Sequence, residues 1–281
     1  MPSFYVRVND VRLHVTDWGG DGDGLLFAHP TGFLGAIWRP VIDELRCHRF
    51  TERILTFDQR GHGLSSKPDS GYEWSRFVGD AVGLARELDL ENFVGVGHSA
   101  GATTLACVAA REAGRFRRLL LVDPILFDRR VDDFNDGPDN PMAARTRTRR
   151  LVWSSREELF DAFCARPPYE TWTKAALSTY VEMGTFERPD GEIELLCPGR
   201  IEAQVYQNAA GMDAFACLKA LTVPTLLVRG EHSTSFDVER EARALSCLRS
   251  GRSVTIAGAT HYVPMERPEL IADLILAEFT A

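Results

Sequence analysis

The chain has 281 residues, 44% hydrophobic and 26% charged, with 32 Lys and Arg against 40 Asp and Glu. A net charge of −8 excludes a nucleic-acid groove, which needs a basic face to neutralise phosphates. No window approaches the roughly 18 apolar residues of a membrane span. The start Met1-Pro2-Ser3-Phe4-Tyr5-Val6 lacks the basic and apolar runs of a signal peptide, so a cytoplasmic globular protein is expected.

Phe4 to Val8 and Val11 to Trp18 are rich in β-branched and aromatic residues on either side of Asn9-Asp10, which predicts a hairpin. Beyond the glycine-rich loop 19–24, short apolar runs at Leu25–Ala28, Ile54–Phe57, Phe93–Val96, Leu119–Val122, Thr225–Val228 and Val254–Ile256 predict strands. Continuously apolar strands need cover on both faces, so the sheet is expected to be mostly parallel. Helical spacing at Ile37–Cys47, Phe77–Leu88, Ala102–Glu112, Val238–Leu248 and Pro268–Phe279 supplies that cover, in an α/β arrangement.

The alternation breaks once, between about Phe127 and Leu221, where the pattern is mainly helical (Glu157–Cys164, Thr171–Met183, Pro198–Asn208) with a turn at Arg188-Pro189-Asp190-Gly191. An insertion at a strand's carboxyl end sits over the catalytic edge of such a sheet as a cap. The expected division is therefore core 1–126, helical cap 127–221 and core 222–281. Gly, Pro, Asn and Asp in Asp132–Asn140 suggest a lid hinge. The aromatics Trp153, Phe160, Phe163, Tyr169, Trp172, Tyr180, Phe186 and Tyr206 read mostly as the cap's own core, with some facing a cleft for an apolar or aromatic small molecule. Arg145, Arg147, Arg149 and Arg150 read as a solvated helix face. The six scattered cysteines form no CxxC pair and have no histidine at metal spacing, and they read as buried small hydrophobes in a reducing compartment.

Gly97-His98-Ser99-Ala100-Gly101 follows one predicted strand and opens a predicted helix, the context in which G-x-S-x-G presents a nucleophilic serine. Three further segments stand in a matching order: His29-Pro30-Thr31-Gly32, Asp58-Gln59-Arg60-Gly61-His62-Gly63-Leu64-Ser65, and Gly258-Ala259-Thr260-His261 after the last strand. With these markers the chain resembles the α/β-hydrolase family over nearly its whole length. The resemblance implies an eight-stranded, mostly parallel sheet flanked by helices, with a mainly helical cap after the sixth strand. It implies Ser99 as nucleophile and His261 as general base, with no metal or organic cofactor.

The acid of the triad is less direct. Members commonly carry it after the seventh strand, where this chain reads Glu231-His232-Ser233-Thr234-Ser235-Phe236-Asp237. A variation in the family places it after the sixth strand, and Asp123 stands there; Glu231 and Asp237 are the alternatives. The oxyanion hole is expected from the backbone N–H groups of Ala100 and Thr31, with Gly32 in reserve, since Pro30 has no N–H. His29, Gly32, Phe33, Trp38 and His98 are candidates for the substrate pocket. Asp58 and Arg60 read as an ion pair bracing a structural turn. Hydrolysis of a carboxylic ester or lactone of a small substrate is the leading expectation. The other readings are a ligand-binding protein with little turnover, carbon–carbon bond hydrolysis, and cofactor-independent oxygenase chemistry.

Overall fold

Strands β1 (Ser3–Val8) and β2 (Val11–Asp17) form the predicted hairpin, with Asn9 turning the chain at φ 48°. Asparagine tolerates that left-handed conformation better than most residues. The computed structural model describes residues 2–127 and 140–280; of the proposed hinge Asp132–Asn140, only Asn140 lies among them. There β3 (Asp21–Ala28), β4 (Glu52–Phe57), β5 (Phe93–His98) and β6 (Phe116–Val122) continue one sheet. Its strand order is β1-β2-β4-β3-β5-β6 and then two later strands, and only the hairpin and the β2–β4 pairing are antiparallel. The mostly parallel eight-stranded sheet of the α/β-hydrolase fold is therefore present.

Both faces are covered, as the apolar strand interiors require. Helices α1 (Arg39–Cys47), α2 (Trp74–Glu87) and α3 (Ala100–Arg111) follow β3, β4 and β5 in the expected alternation. Helix α1 turns Val41, Ile42 and Leu45 inward and opens with Pro40 in its first turn, where no N–H is needed. Fully burying such a side chain contributes about 1.5–3 kcal/mol. Helices α2 and α3 cover the opposite face, with Val78, Leu84, Leu105 and Val108 buried there.

Between β6 and the next strand of the large sheet lies the insertion. It holds α4 (Pro141–Arg147), β7 (Val152–Trp153), α5 (Arg156–Cys164), α6 (Lys174–Met183), β8 (Thr185–Glu187), β9 (Ile193–Leu195), α7 (Gly199–Gln207) and α8 (Ala214–Ala220). Side-chain oxygens cap α4, α5, α6 and α8 at Asn140, Ser155, Thr173 and Asp213. Beyond the expected helices, β7, β9 and β8 form a three-stranded antiparallel sheet. The predicted turn at Arg188–Gly191 is the bend of its hairpin, and strands of two or three residues are too short to leave a period in the sequence. Trp153, Phe163, Trp172 and Tyr180 are buried, in a core continuous with the sheet's through Phe33; Phe186 is exposed.

The chain returns to the sheet with β10 (Thr225–Gly230), α9 (Val238–Cys247), β11 (Gly251–Ile256), α10 (Val263–Glu266) and α11 (Pro268–Thr280). Among the described residues no helix is long and apolar enough to cross a membrane. The cysteine reading needs correction. Cys107 of α3 and Cys217 of α8 are joined by a disulfide across a sequence separation of 110, and Cys47 and Cys164 are exposed. The packing of α3 on α8 brings the pair together, and no local spacing announces it.

Candidate active site

Strand β5 is buried at every position and leads into Ser99, whose backbone sits at φ 56°, ψ −124° before α3 begins at Ala100. Serine is strained there. The turn survives because its flanks are bare: a Cβ at Gly97 would lie 2.5 Å from Ala102 Cα, and one at Gly101 2.4 Å from the Ala28 carbonyl oxygen. Ser99 N–H donates to Val122 O at 2.9 Å, fastening the turn to β6. The hydroxyl thus stands at the N-terminal end of a 12-residue helix, where the peptide dipoles favour negative charge.

His261 lies in the turn between β11 and α10. Its Nε2 is 3.0 Å from Ser99 Oγ and its Nδ1 is 2.6 Å from Asp123 Oδ1. Asp123 follows β6 at φ 44° and is fully buried, with its N–H donating to Val228 O at 2.7 Å. Its carboxylate also accepts from Gly230 N–H at 3.2 Å and from Ser233 Oγ at 2.7 Å. The other two carboxylates lie elsewhere. Glu231 is half exposed and accepts from Gly258 N–H, while Asp237 caps α9 and pairs with Arg240. Ser233, not among the expected site residues, follows β10 and donates to Asp123 at the end of the neighbouring strand. The run of hydroxyl residues there was the available signal.

The N–H groups of Ala100 and Thr31 have no acceptor among the described residues. Gly101 would touch the His29 carbonyl oxygen at 2.6 Å if it bore a Cβ, so the start of α3 abuts the loop carrying Thr31. Gly32 faces Glu202 of α7, and Phe33 lines a cavity described below. Four pocket candidates, Gly32, His29, Trp38 and His98, do not line it. His29 is fully buried, donating from Nδ1 to Pro30 O and accepting at Nε2 from Gln59 N–H. Trp38 is packed between Phe27 and His98. His98 donates from Nε2 to the His261 carbonyl at 2.8 Å, bracing His261. Burial and the neighbouring His261 ring hold His98 well below the ordinary imidazole value, so it is neutral. Asp58 and Arg60 do not pair with each other. Asp58 bonds His14 and the N–H groups of Gly35 and Leu64, and Arg60 pairs with Asp80 and Asp10.

Next to His261 a cavity of about 340 Å³ is lined by residues of the core and of the insertion. Phe33 and Tyr262 line it, and the Tyr262 ring lies 5.2 Å from that of His261. Its walls also carry Arg145, Arg149, Arg150 and Arg166 together with Tyr169, Tyr206 and Glu202. The arginine run is therefore not simply a solvated face. Met142, Arg145, Thr146 and Arg149 follow one another at helical intervals along and just beyond α4, all toward the cavity. Arg149 Nη1 lies 2.7 Å from Glu202 Oε2, and its Nη2 donates to Cys197 O at 2.8 Å. Burial opposes its charge, but Glu202 more than compensates and raises the guanidinium further above its ordinary value. Burial raises Glu202, against the pull of Arg149, and lifts the Tyr169 hydroxyl to about 12. Among the described residues no cluster of three or more His, Cys, Asp or Glu is arranged to hold a metal ion.

Comparison with known proteins agrees with this architecture. Over 269 residues the chain is 28% identical to the 2-(acetamidomethylene)succinate hydrolase of Mesorhizobium japonicum, covering 94% of this chain and 90% of that one. A crystal structure of E-2-(acetamidomethylene)succinate hydrolase superposes with a TM-score of 0.82 at 25% identity, covering 100% of this chain and 99% of the other. A shorter match, 35% over 120 residues, links it to the N-formylmaleamate deformylase of Pseudomonas putida, covering 42% of this chain and 44% of the relative. The model of the alpha/beta hydrolase family matches residues 25–274, and the chain belongs to that family.

Proposed function

We propose that the protein is a serine hydrolase that cleaves the ester or lactone bond of a small molecule through an acyl-enzyme on Ser99. The observation that carries this reading is the unbroken chain from Asp123 Oδ1 to His261 Nδ1 and from His261 Nε2 to Ser99 Oγ, at 2.6 and 3.0 Å. A serine hydroxyl is a weak nucleophile until a base within hydrogen-bond reach takes its proton. In the reaction, His261 Nε2 accepts that proton as Ser99 Oγ attacks the carbonyl carbon. Asp123 holds the Nδ1–H tautomer and stabilises the imidazolium. The Ala100 and Thr31 N–H groups hold the oxyanion, each such donor contributing about 10²–10³-fold. His261 then returns the proton to the leaving oxygen. Water, deprotonated by the same ring, releases the acyl group and restores the Ser99 hydroxyl. The segment 127–221 acts as a cap over the core halves 1–126 and 222–281.

A second reading is cleavage of an acyl–nitrogen bond, favoured by relatives named as a 2-(acetamidomethylene)succinate hydrolase and a deformylase. The same residues serve, with the proton delivered to a leaving nitrogen. Intact-mass analysis after treatment with a neutral fluorophosphonate tests both. One adduct on the wild type, absent in Ser99→Ala, is expected, as is a loss of turnover of about 10⁴-fold or more in that variant. A folded wild type that takes no adduct sinks the proposal.

A further inference from the structure

We propose that the cavity next to His261 is an anion subsite in which Arg145, Arg149 and Arg166 hold a carboxylate of the substrate, so that the molecule hydrolysed is a small organic acid. The inference rests on the acyl-hydrolase reading of Ser99 and adds the charge of what that site takes.

The first ground is the charge balance of the walls. Four arginines line the cavity against one carboxylate, Glu202, in a chain whose net charge is −8. Arg150 is paired with Glu158 at 2.7 Å and Arg149 with Glu202. Arg145 and Arg166 have no carboxylate partner among the described residues. Two guanidinium groups without a carboxylate partner at a concave wall concentrate positive potential there.

The second ground is an unmet hydrogen bond. Arg149 Nε is buried without an acceptor, although both ends of its fork are fixed, one on Cys197 O and one beside Glu202. The approach of Nη1 to Glu202 Oε2 is off the hydrogen-bonding direction, and that oxygen too lacks a donor. Leaving such a buried donor unpaired costs about 1–3 kcal/mol, a cost that a ligand oxygen removes.

The third is preorganisation. The guanidinium of Arg166 lies 4.5 Å from the Phe163 ring centre, and Phe163 stacks on Tyr169 at 4.2 Å. Stacking fixes the guanidinium plane and leaves its N–H edges for a ligand. The hydroxyls of Tyr169 and Tyr262 have no partner among the described residues and border the same space.

Position and size complete the assignment. Phe33 follows the proposed oxyanion loop in sequence and Tyr262 follows His261, and both line the cavity together with the arginines. About 340 Å³ is at the small end of ligand sites and suits a short-chain acid. Guanidinium forks match planar carboxylates and phosphates alike. Glu202 decides between them, because a dianionic phosphate beside it meets about twice the repulsion that a carboxylate does.

The test compares 4-nitrophenyl hydrogen glutarate with its neutral methyl ester, and measures binding of glutarate, glutaramide and inorganic phosphate by calorimetry. The wild type is expected to show kcat/KM at least about tenfold higher for the acid, a ratio that falls about tenfold in Arg166→Gln and in Arg145→Gln. Glutarate is expected to bind, with glutaramide and phosphate each about tenfold weaker or worse. Equal kcat/KM for acid and methyl ester, a ratio unmoved by both substitutions, or tighter binding of phosphate overturns the anion subsite while fluorophosphonate labelling of Ser99 still stands. Should labelling fail instead, calorimetry decides alone: glutarate binding lost in Arg166→Gln supports the subsite, and no binding to the folded wild type overturns it.

Discussion

The edge of the large sheet and the cavity under the insertion lie side by side and are built on opposite principles. At the sheet edge the groups that meet Ser99 and His261 are largely buried and held by hydrogen bonds. Ser99, Asp123 and His98 are buried; the Ser99 and Asp123 backbones are tied to Val122 and Val228, and the His98 ring to the His261 carbonyl. In the cavity the polar groups are wet and partly unmatched, with Arg145 and Arg166 exposed and a buried Arg149 Nε lacking an acceptor. The difference separates two tasks. Chemistry needs atoms held to a fraction of an ångström before substrate arrives. Recognition of a charged group needs donors whose last hydrogen bond is supplied by the ligand.

The sharpest way to break this contrast is Asp123→Asn. If the sheet edge works through one fixed tautomer, the amide presents the wrong partner to His261 Nδ1 and kcat falls about 10³–10⁴-fold. KM and the preference for acidic esters are expected to stay within a few-fold, since Asp123 does not line the cavity. A loss below tenfold, measured on a variant with unchanged thermal unfolding, would return the acid to Glu231 or Asp237.

That acid also marks the boundary of what was legible in the sequence. The elbow, the His261 turn and the alternating strands and helices are short-range patterns, because a strained serine demands Gly97 and Gly101 beside it and buried parallel strands demand apolar runs. Asp123 and Ser233 lie on different strand ends, and their pairing follows from the β6–β10 register, in which Val122 stands opposite Val228. The burial of Arg149 against Glu202 is not legible for the same reason. Helical spacing puts Met142, Arg145 and Arg149 on one face, but whether that face meets water or Glu202 depends on how α4 packs against α7. The disulfide between Cys107 and Cys217 and the three short strands of the insertion likewise carry no local signature.

A smaller effect sharpens the contrast at Ser233. Its hydroxyl donates to Asp123 and accepts from the N–H groups of Ser235 and Phe236. Ser233→Ala removes one of the bonds that hold the carboxylate and is expected to lower kcat about tenfold, consistent with the loss of a hydrogen bond to a charged group. The methyl side chain fits the same space, and Ser233→Thr is expected to restore part of the rate. If Ser233→Ala changes KM and leaves kcat alone, Ser233 belongs to recognition and the division between the regions fails.

The smallest effect concerns the dryness of the sheet edge itself. His62, buried behind His29, donates from Nδ1 to Arg60 O, while its Nε2 has no partner. Burial first, and the nearby His29 ring second, lower its pKa from 6.5 to about 3. The unfolded chain therefore binds a proton below pH 6.5 that the folded protein refuses until about pH 3. Stability is complete above the unfolded value and is lost as pH falls through this window. Between pH 6.5 and 5.5 this one group costs about 1 kcal/mol. Urea unfolding of the wild type and of His62→Asn, whose amide can still donate to Arg60 O, is expected to show the variant losing about 1 kcal/mol less over that interval. The arginines of the cavity do not titrate there, so Arg145→Gln and Arg166→Gln leave the slope unchanged. Parallel slopes for wild type and His62→Asn would mean that water reaches His62, and the sheet edge would be no drier than the cavity beside it.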